Sequence, residues 1–330
     1  MKVPKPIVEI ASTGRWLPDR VVTNADMEKM VDTSDEWIRQ RTGIRERRIA
    51  EADVGAADMG AAAARIAMCR AGVQPGEVDL IVVATATPDR LLPSTACDIQ
   101  ALLGATNAAA FDVSAACSGF IYALSVAEGQ IAAGRAEIAL VISTEKMTGI
   151  VDWTDRSTFV LFGDGAGVAV VRRSTNGRGL ISSFLRSDGT LAELLWRPAG
   201  GLKIPFDIAV IEDKSHYVKM AGGEVFKAAV RSMAEAADQA LLRAGLTGED
   251  IDLFIPHQAN MRIIEATARY ASVPMEKVFV NVDRYGNMSS ATIPVALDEA
   301  IESGRLKAGD LVLMVAFGAG FTWASAVIRW

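Results

Sequence analysis

Residues 108–134 read AAAFDVSAACSGFIYALSVAEGQIAAG, and the rest of the chain can be laid out from this stretch. The apolar run Ala108–Val113 predicts a buried strand. Ser114 follows as a helix cap, offering its oxygen to unpaired backbone N–H groups. Phe120, Leu124, Ala127 and Ile131 then recur at helical spacing, and Gly134 marks a left-handed stop. Cys117 therefore falls in the first turn of a buried helix that follows a strand. A helix N-terminus carries unpaired N–H groups and a positive partial charge. Both favour the thiolate, which is the nucleophilic form of cysteine. A lone cysteine is more often a small core hydrophobe, so Cys117 gains weight only from its company.

Composition narrows the classes. Of 330 residues, 50% are hydrophobic, ample for a large core. A net charge of −6 argues against a general nucleic-acid binder. Cys69, Cys97 and Cys117 are a sparse, odd set that points to a reducing compartment without a disulfide framework. Without a CxxC pair and with only His216 and His257 as histidines, no metal site is expected. The start, MKVPKPIVEIAS, lacks the plan of a signal peptide, and no apolar run approaches the ~20 residues of a membrane span. The expectation is a soluble, cytoplasmic protein.

Taken in order, 7–11 reads as a strand, Asn24–Val31 as a short helix, Ala56–Gly72 as an alanine-rich helix and Asp79–Ala84 as a buried strand. Pro93–Gly104 is another helix and Ile138–Ser143 another buried strand. Helices alternating with continuous apolar strands indicate a parallel α/β sheet. The second half then repeats the first. AGVQPGEVDLIVV begins at Ala71 and AGLTGEDIDLFIP at Ala244, an offset of 173 residues. At the same offset Asp79 falls on Asp252, Leu124 on Leu297, Ile138 on Leu311 and Cys117 on Ser290. The chain is therefore an internal duplication, with Gly177–Gly189 as the boundary between halves 1–178 and 179–330. The match slips between Gly165-Ala166-Gly167 and Gly318-Ala319-Gly320, so roughly twenty residues near Lys146–Phe162 are extra in the first half, where loops at strand ends often carry function. Gly200–Val218 is a second, irregular insertion.

His257 follows the repeated strand DLFIP, and Asn287 lies in YGNMSSAT. In parallel sheets ligands bind off the carboxyl ends of strands, so Cys117, His257 and Asn287 are placed to converge. A cysteine accepts an acyl group, while histidine and asparagine donate to a developing oxyanion. Ala316–Phe321, AFGAGF, ends a strand with backbone N–H groups that can join the N–H of Cys117 in an oxyanion hole. The stretch TSDEWIRQRTGIRERR is either a solvated helix face with one tryptophan or a polyanion site, and composition leaves both open.

The stretches VDTSDEWIRQRTGIRERRI, AFDVSAACSGFIYALSVA, WTDRSTFVLFGDGAG, IPHQANMRI, YGNMSSATIPVALDEA and FGAGFTWASAVIRW resemble the β-ketoacyl-acyl-carrier-protein synthase III family, the priming condensing enzymes of type II fatty acid synthesis. The resemblance implies the α/β thiolase-like fold, with two duplicated halves packed as five αβαβα layers, in a homodimer. It also implies that Cys117 is acylated by an acyl-CoA primer, the partner molecules being acetyl-CoA and malonyl-acyl carrier protein, with no cofactor beyond these substrates. His257 and Asn287 would then bind the thioester carbonyl during malonyl decarboxylation, and the backbone N–H groups of Cys117 and Ala319 would form the oxyanion hole.

By the same resemblance Trp37 and Arg156 sandwich the adenine of coenzyme A, Arg41 approaches its phosphates, and Phe226 and Asn260 line the pantetheine tunnel. Leu92 and Phe317 fall at acyl-pocket positions, Leu92 by reaching a partner subunit. Lys227 and Arg262 are expected to dock the acidic carrier protein, and Asp164 to be a turn or dimer-contact residue rather than a catalytic one. Gly223 stands where relatives commonly carry asparagine, and Met288 where threonine is usual. Two same-triad relatives, a polyketide starter enzyme and an alkylquinolone enzyme, are the alternatives within the class. A papain-type hydrolase is disfavoured by the missing signature around its cysteine and by the duplication. A non-catalytic scaffold is disfavoured by the presence of all three chemical residues.

Overall fold

A computed structural model of the protein describes residues 4–330. Its two large sheets are built from β1 (Val8–Trp16), β2 (Leu80–Ala84), β3 (Ala109–Val113), β4 (Ile138–Lys146), β5 (Asp164–Arg173), β6 (Gly179–Ser187), β7 (Leu253–Pro256), β8 (Leu311–Gly318) and β9 (Thr322–Arg329). The first sheet runs β1-β5-β4-β2-β3 and the second β7-β8-β9-β6. β2 pairs in parallel with β3 and β4, while β5 is antiparallel to β4 and β1. β7 and β8 repeat the parallel pair, and β9 is antiparallel to β8 and β6. Where β3 would recur, only a parallel bridge between Phe254 and Val278 remains. β2 is buried on both faces, which is why it reads as an unbroken apolar run.

The helices α1 (Asp35–Thr42), α2 (Ala56–Ala71), α3 (Thr95–Leu103), α4 (Gly119–Ala132), α5 (Gly222–Ala244), α6 (Met261–Tyr270) and α7 (Thr292–Glu302) complete the layers. α2 and α3 cover the outer face of the first sheet, and α5 and α6 that of the second. α4 and α7 lie between the sheets. This is the five-layered αβαβα architecture. The periodic face Phe120, Leu124, Ala127 and Ile131 is buried in the central layer, in one apolar cluster with Ile293 and Leu297 of α7. The halves are also tied by charge: buried Asp298 of α7 accepts from Thr13 and Arg70, each at 2.6 Å, and pairs with Arg15. Removing either arginine would leave a buried carboxylate less compensated, the costly way to break such a pair.

Some local expectations change. β3 is the edge of its sheet rather than a buried strand, and Phe111 on it is 38% exposed. Ser114 caps nothing, because the chain makes a 3-10 turn at Ala116–Ser118 and α4 starts only at Gly119. The boundary stretch 177–189 is mostly β6, a strand of the second sheet. The helix after Asn24 stops at Met27. The extra segment after β4 contains a 3-10 turn at Met147–Gly149 and packs Trp153 on Phe159, ring centroids 4.6 Å apart. The 200–218 insertion holds a short helix, Ile208–Glu212.

Candidate active site

The duplication produces matching turns in front of the two central helices. Ala116 and Ser289, 173 residues apart, have φ of 45° and 48°, a left-handed conformation that side chains seldom adopt. Each opens a 3-10 turn and is followed by Cys117 in one half and by Ser290 in the other. The turns approach each other: Cys117 Sγ lies 3.4 Å from Ser289 Oγ. The end of β8 closes over the nucleophile. A Cβ on Gly318 would stand 2.5 Å from Cys117 N and 3.1 Å from its Cβ, so glycine is required there. This approach sets Ala319, the next residue, beside the Cys117 N–H, and both residues line one cavity.

Burial pushes the Cys117 thiol up to about 12; the nearby Glu145 charge adds to the rise, and the Ser289 hydroxyl opposes it. A helix N-terminus contributes at most ~2 kcal/mol. At ~1.4 kcal/mol per pKa unit it cannot bring such a thiol to neutrality alone. Burial therefore works against the thiolate that the helix end favours, and acylation has to move the Cys117 proton.

His257 follows β7, its backbone N–H donating to Val315 O at 2.8 Å. Its Nδ1 is 2.6 Å from Thr292 Oγ1. That hydroxyl also reaches Ser289 O at 3.1 Å, a carbonyl that accepts the Thr292 backbone N–H as well. We assign the hydroxyl proton to His257 Nδ1 as the shorter of the two contacts, which leaves Nε2 as the ring's N–H donor. Burial lowers the His257 pKa to about 3, so the ring is neutral at ordinary pH. Asn287 is held on both sides of its backbone: its N–H donates to Leu161 O at 2.8 Å and its carbonyl accepts from Gly163 N at 3.1 Å. Its side-chain Oδ1 accepts from Ser289 N at 2.8 Å, which leaves the amide NH2 as its free donor. Arg47, fully buried, braces this segment by donating to Val160 O at 2.7 Å.

A cavity of about 250 Å³ is lined by Cys117, His257 and Asn287 together with Phe317, Ala319, Phe226 and Asn260. Asn260 caps α6, accepting from Arg262 N, and donates to Arg41 O, both at 2.9 Å. These two bonds hold its side chain in place at the cavity wall and leave one amide N–H over. Arg41 and Arg156 both lie over the Trp37 ring, their guanidinium carbons 5.1 and 5.2 Å from its centroid. An aromatic ring between Trp37 and Arg156 would need two contact spacings of about 3.5–4.0 Å, so Arg156 must swing out before adenine can enter. Arg262 sits over Phe226 at 5.2 Å, and Lys227 is exposed beside it. Leu92 is not brought to this cavity: it is 86% exposed in the loop before α3.

Asp164 is neither a turn nor a contact residue. It is buried, accepting from Thr148 N and Ala50 N at 2.9 Å and from Thr148 Oγ1 at 2.6 Å. Met288 is a core residue packed with Tyr285, Ala291 and Val295, and a Cβ on Gly223 would meet open space. Ser289, Thr292 and Glu145 were not singled out from the sequence. Ser289 is the neighbour of the duplicate of Cys117, which is the one signal that led towards it.

A cysteine, a neutral histidine donor and an asparagine amide, set at the strand ends of a five-layered αβαβα core, define a condensing enzyme of the thiolase fold. The family model for 3-Oxoacyl-[acyl-carrier-protein (ACP)] synthase III matches residues 111–189, and the model for its C-terminal part matches 241–330. A beta-ketoacyl-[acyl-carrier-protein] synthase III of Symbiobacterium thermophilum is 53% identical over 323 residues, 98% of each chain. The crystal structure of 3-oxoacyl-[acyl-carrier-protein] synthase III from Aquifex aeolicus superimposes with a TM-score of 0.91 at 49% identity, covering 98% of this chain and 100% of that one. The priming beta-ketosynthase of the R1128 polyketide pathway gives a TM-score of 0.91 at 40% identity, covering 100% and 98%. The chain belongs to the β-ketoacyl-acyl-carrier-protein synthase III family.

Proposed function

We propose that Cys117 is the acylated residue of a decarboxylative condensation between an acyl-CoA primer, acetyl-CoA first, and malonyl-acyl carrier protein. As a member of its family the protein is an acyltransferase that initiates type II fatty acid synthesis. In this reading the Cys117 sulfur attacks the acyl-CoA carbonyl and coenzyme A leaves. The backbone N–H groups of Cys117 and Ala319 hold the oxyanion. Malonyl-carrier protein then loses carbon dioxide, and the enolate oxygen receives hydrogen bonds from His257 Nε2 and the Asn287 amide before its carbon attacks the acyl-cysteine. Such donors are worth ~100–1000-fold each. Trp37, Arg41 and Arg156 take the nucleotide end of coenzyme A, Phe226 and Asn260 its pantetheine arm, and Phe317 the acyl end. No cofactor enters.

The observation that carries the reading is the single cavity joining Cys117 to two neutral donors whose orientations are fixed by Thr292 and Ser289. The proposal includes a homodimer in the cytoplasm. The unpaired edge of β3, with Phe111, Leu91 and Leu92 exposed near it in sequence, supports a partner there. Intact mass after acetyl-CoA treatment tests the assignment: the acyl adduct forms in the wild type and not in Cys117→Ala. An adduct on Cys69 or Cys97 would refute it. Product analysis with malonyl-carrier protein then separates fatty-acid initiation from a polyketide or alkylquinolone product.

A further inference from the structure

Ser289 is buried, lines the reaction cavity, and turns each of its three polar groups towards a different part of the site. Its Oγ lies 3.4 Å from Cys117 Sγ. Its backbone N–H donates to Asn287 Oδ1 at 2.8 Å. Its carbonyl accepts from the backbone N–H of Thr292, whose hydroxyl meets His257 Nδ1 at 2.6 Å. The duplicate position in the first half is Ala116, with the same left-handed backbone and no hydroxyl. The turn is therefore made without a hydroxyl, and the one on Ser289 is left for the sulfur.

Among the described residues, Ser289 is the one side chain that hydrogen-bonds Cys117 Sγ, and the sulfur is the one partner of Ser289 Oγ. A hydroxyl is both acceptor and donor. Towards the resting thiol it accepts the S–H. A charged sulfur has no proton to give, and the contact is kept when the Ser289 O–H turns and donates. Hydrogen bonds to an ionised partner are roughly twice as strong as neutral ones.

The rest of the surroundings opposes charge on the sulfur. Burial disfavours it, and so does the carboxylate of Glu145 on β4. His257, after β7, is the other titratable group facing the nucleophile across the cavity, and its ring is neutral and tied to Thr292. A donor on the sulfur counts for most where nothing else offsets desolvation.

We propose that the Ser289 hydroxyl is a catalytic donor that hydrogen-bonds the Cys117 sulfur whenever it carries charge, first as nucleophile and then as leaving group. In acylation the sulfur lone pair forms the bond to the acyl carbon, the bond from that carbon to the coenzyme A sulfur breaks, and the thiol proton leaves with coenzyme A. In condensation the enolate carbon bonds to the acyl carbon, the bond from that carbon to Cys117 Sγ breaks, and its electron pair returns to the sulfur. A proton from water then restores the thiol. Ser289 donates its hydrogen bond in both steps and keeps its own proton. The inference rests on reading Cys117 as the residue that acyl-CoA acylates.

Ser289→Ala and Ser289→Gly test it as a pair. Both remove the hydroxyl and keep the backbone N–H on Asn287. Alanine tolerates the φ of 48° poorly and glycine adopts it readily, so a loss shared by both belongs to the hydroxyl. Where Ser289→Ala fails to fold, Ser289→Gly carries the test. Iodoacetamide alkylation of Cys117 in the ligand-free enzyme, followed from about pH 7 to 10, should fall ~3- to 20-fold at every pH with its slope unchanged. One hydrogen bond to a charged group is worth about 10- to 150-fold, and part of that returns because a thiolate of higher pKa is the stronger nucleophile. In rapid-quench mass spectrometry, the maximal rate of acylation by acetyl-CoA should fall at least as far, and so should discharge of the acetyl-enzyme by added coenzyme A, in which Cys117 is the leaving group. The half-saturating acetyl-CoA concentration and decarboxylation of malonyl-carrier protein should change little. A mere packing role predicts the opposite sign for alkylation, because a gap beside the sulfur admits water and relieves its desolvation. Any of the three rates as fast as wild type in either folded variant overturns the proposal. A wild-type protein that is alkylated at Cys117 but takes no acyl group overturns the functional reading instead, and the alkylation comparison still decides the role of Ser289.

Discussion

Thr292 Oγ1 stands 2.6 Å from His257 Nδ1, with both side chains buried. The hydroxyl gives its proton to Nδ1 and thereby makes Nε2 the donor that an enolate oxygen needs. Thr292→Val keeps the shape and removes that proton. An unpartnered buried polar group costs ~1–3 kcal/mol, so malonyl decarboxylation should fall about 5- to 150-fold. Thr292→Ser should recover most of it, and acylation of Cys117 should be much less affected. A Thr292→Val enzyme that decarboxylates normally would show that the tautomer is set elsewhere.

The desolvated, half-buried Cys117 thiol has a direct signature. Because burial holds Cys117 up to about 12, the group is protonated at every pH below that, and its thiolate fraction grows tenfold per unit as pH rises. Alkylation of Cys117 by iodoacetamide in the ligand-free enzyme should keep accelerating from about pH 7 to 10, beyond the ~8.5 of a free cysteine. Peptide mapping reads this at Cys117 separately from exposed Cys69. A plateau below about pH 8 would mean that the helix N-terminus outweighs burial after all.

The stack of Arg156 on Trp37 closes the place assigned to adenine. Arg156 also donates to Asp32 O at 3.0 Å, a weak surface tether that coenzyme A can displace. Base–aromatic stacking is worth ~1–3 kcal/mol, so Trp37→Ala should raise KM for acyl-CoA about 5- to 150-fold with little change in kcat. Steady-state kinetics with acetyl-CoA and with a short acetyl-pantetheine thioester separates the roles. Only the substrate carrying adenine should suffer.

The architecture was legible because duplication writes each signal twice: Asp79 and Asp252, Leu124 and Leu297, and Ile138 and Leu311 share one offset and one element type. Cys117, His257 and Asn287 were legible because each follows a strand or turn signal and carries reactive chemistry. Burial was less so. Ala108–Val113 has the apolar run of a central strand, yet β3 is an edge, and periodicity alone does not tell a strand covered by a neighbouring strand from one left open. Glu145 lies near the end of a strand without any motif, and the hydroxyls of Thr85, Thr87 and Ser290 that satisfy it are brought to it only by the fold. The acidity of Cys117 turned on a balance of magnitudes, burial against helix end, that the position of the residue in the chain does not reveal.

Arg262 is exposed at the start of α6, and its guanidinium lies 5.2 Å from the ring of Phe226, which lines the cavity. It thus stands at the rim through which a carrier protein would deliver its arm, with Lys227 next to Phe226 in the chain. The protein is itself acidic, with a net charge of −6, so an acidic carrier needs a local basic contact to dock. Arg262→Glu should raise KM for malonyl-carrier protein about tenfold or more, a loss of ~1.4 kcal/mol, while acylation by acetyl-CoA changes little. The substitution also uncovers Phe226, so Arg262→Gln is the necessary companion. A charge effect is graded, Gln weaker than Glu, and a packing effect is equal in both. Salt supplies the second axis: the wild-type carrier-protein step should weaken as ionic strength rises, and the variants should respond less, since a rim charge acts mainly on encounter. Equal losses in both half-reactions, or losses independent of salt, would make Arg262 a support for Phe226 and remove it from the docking surface.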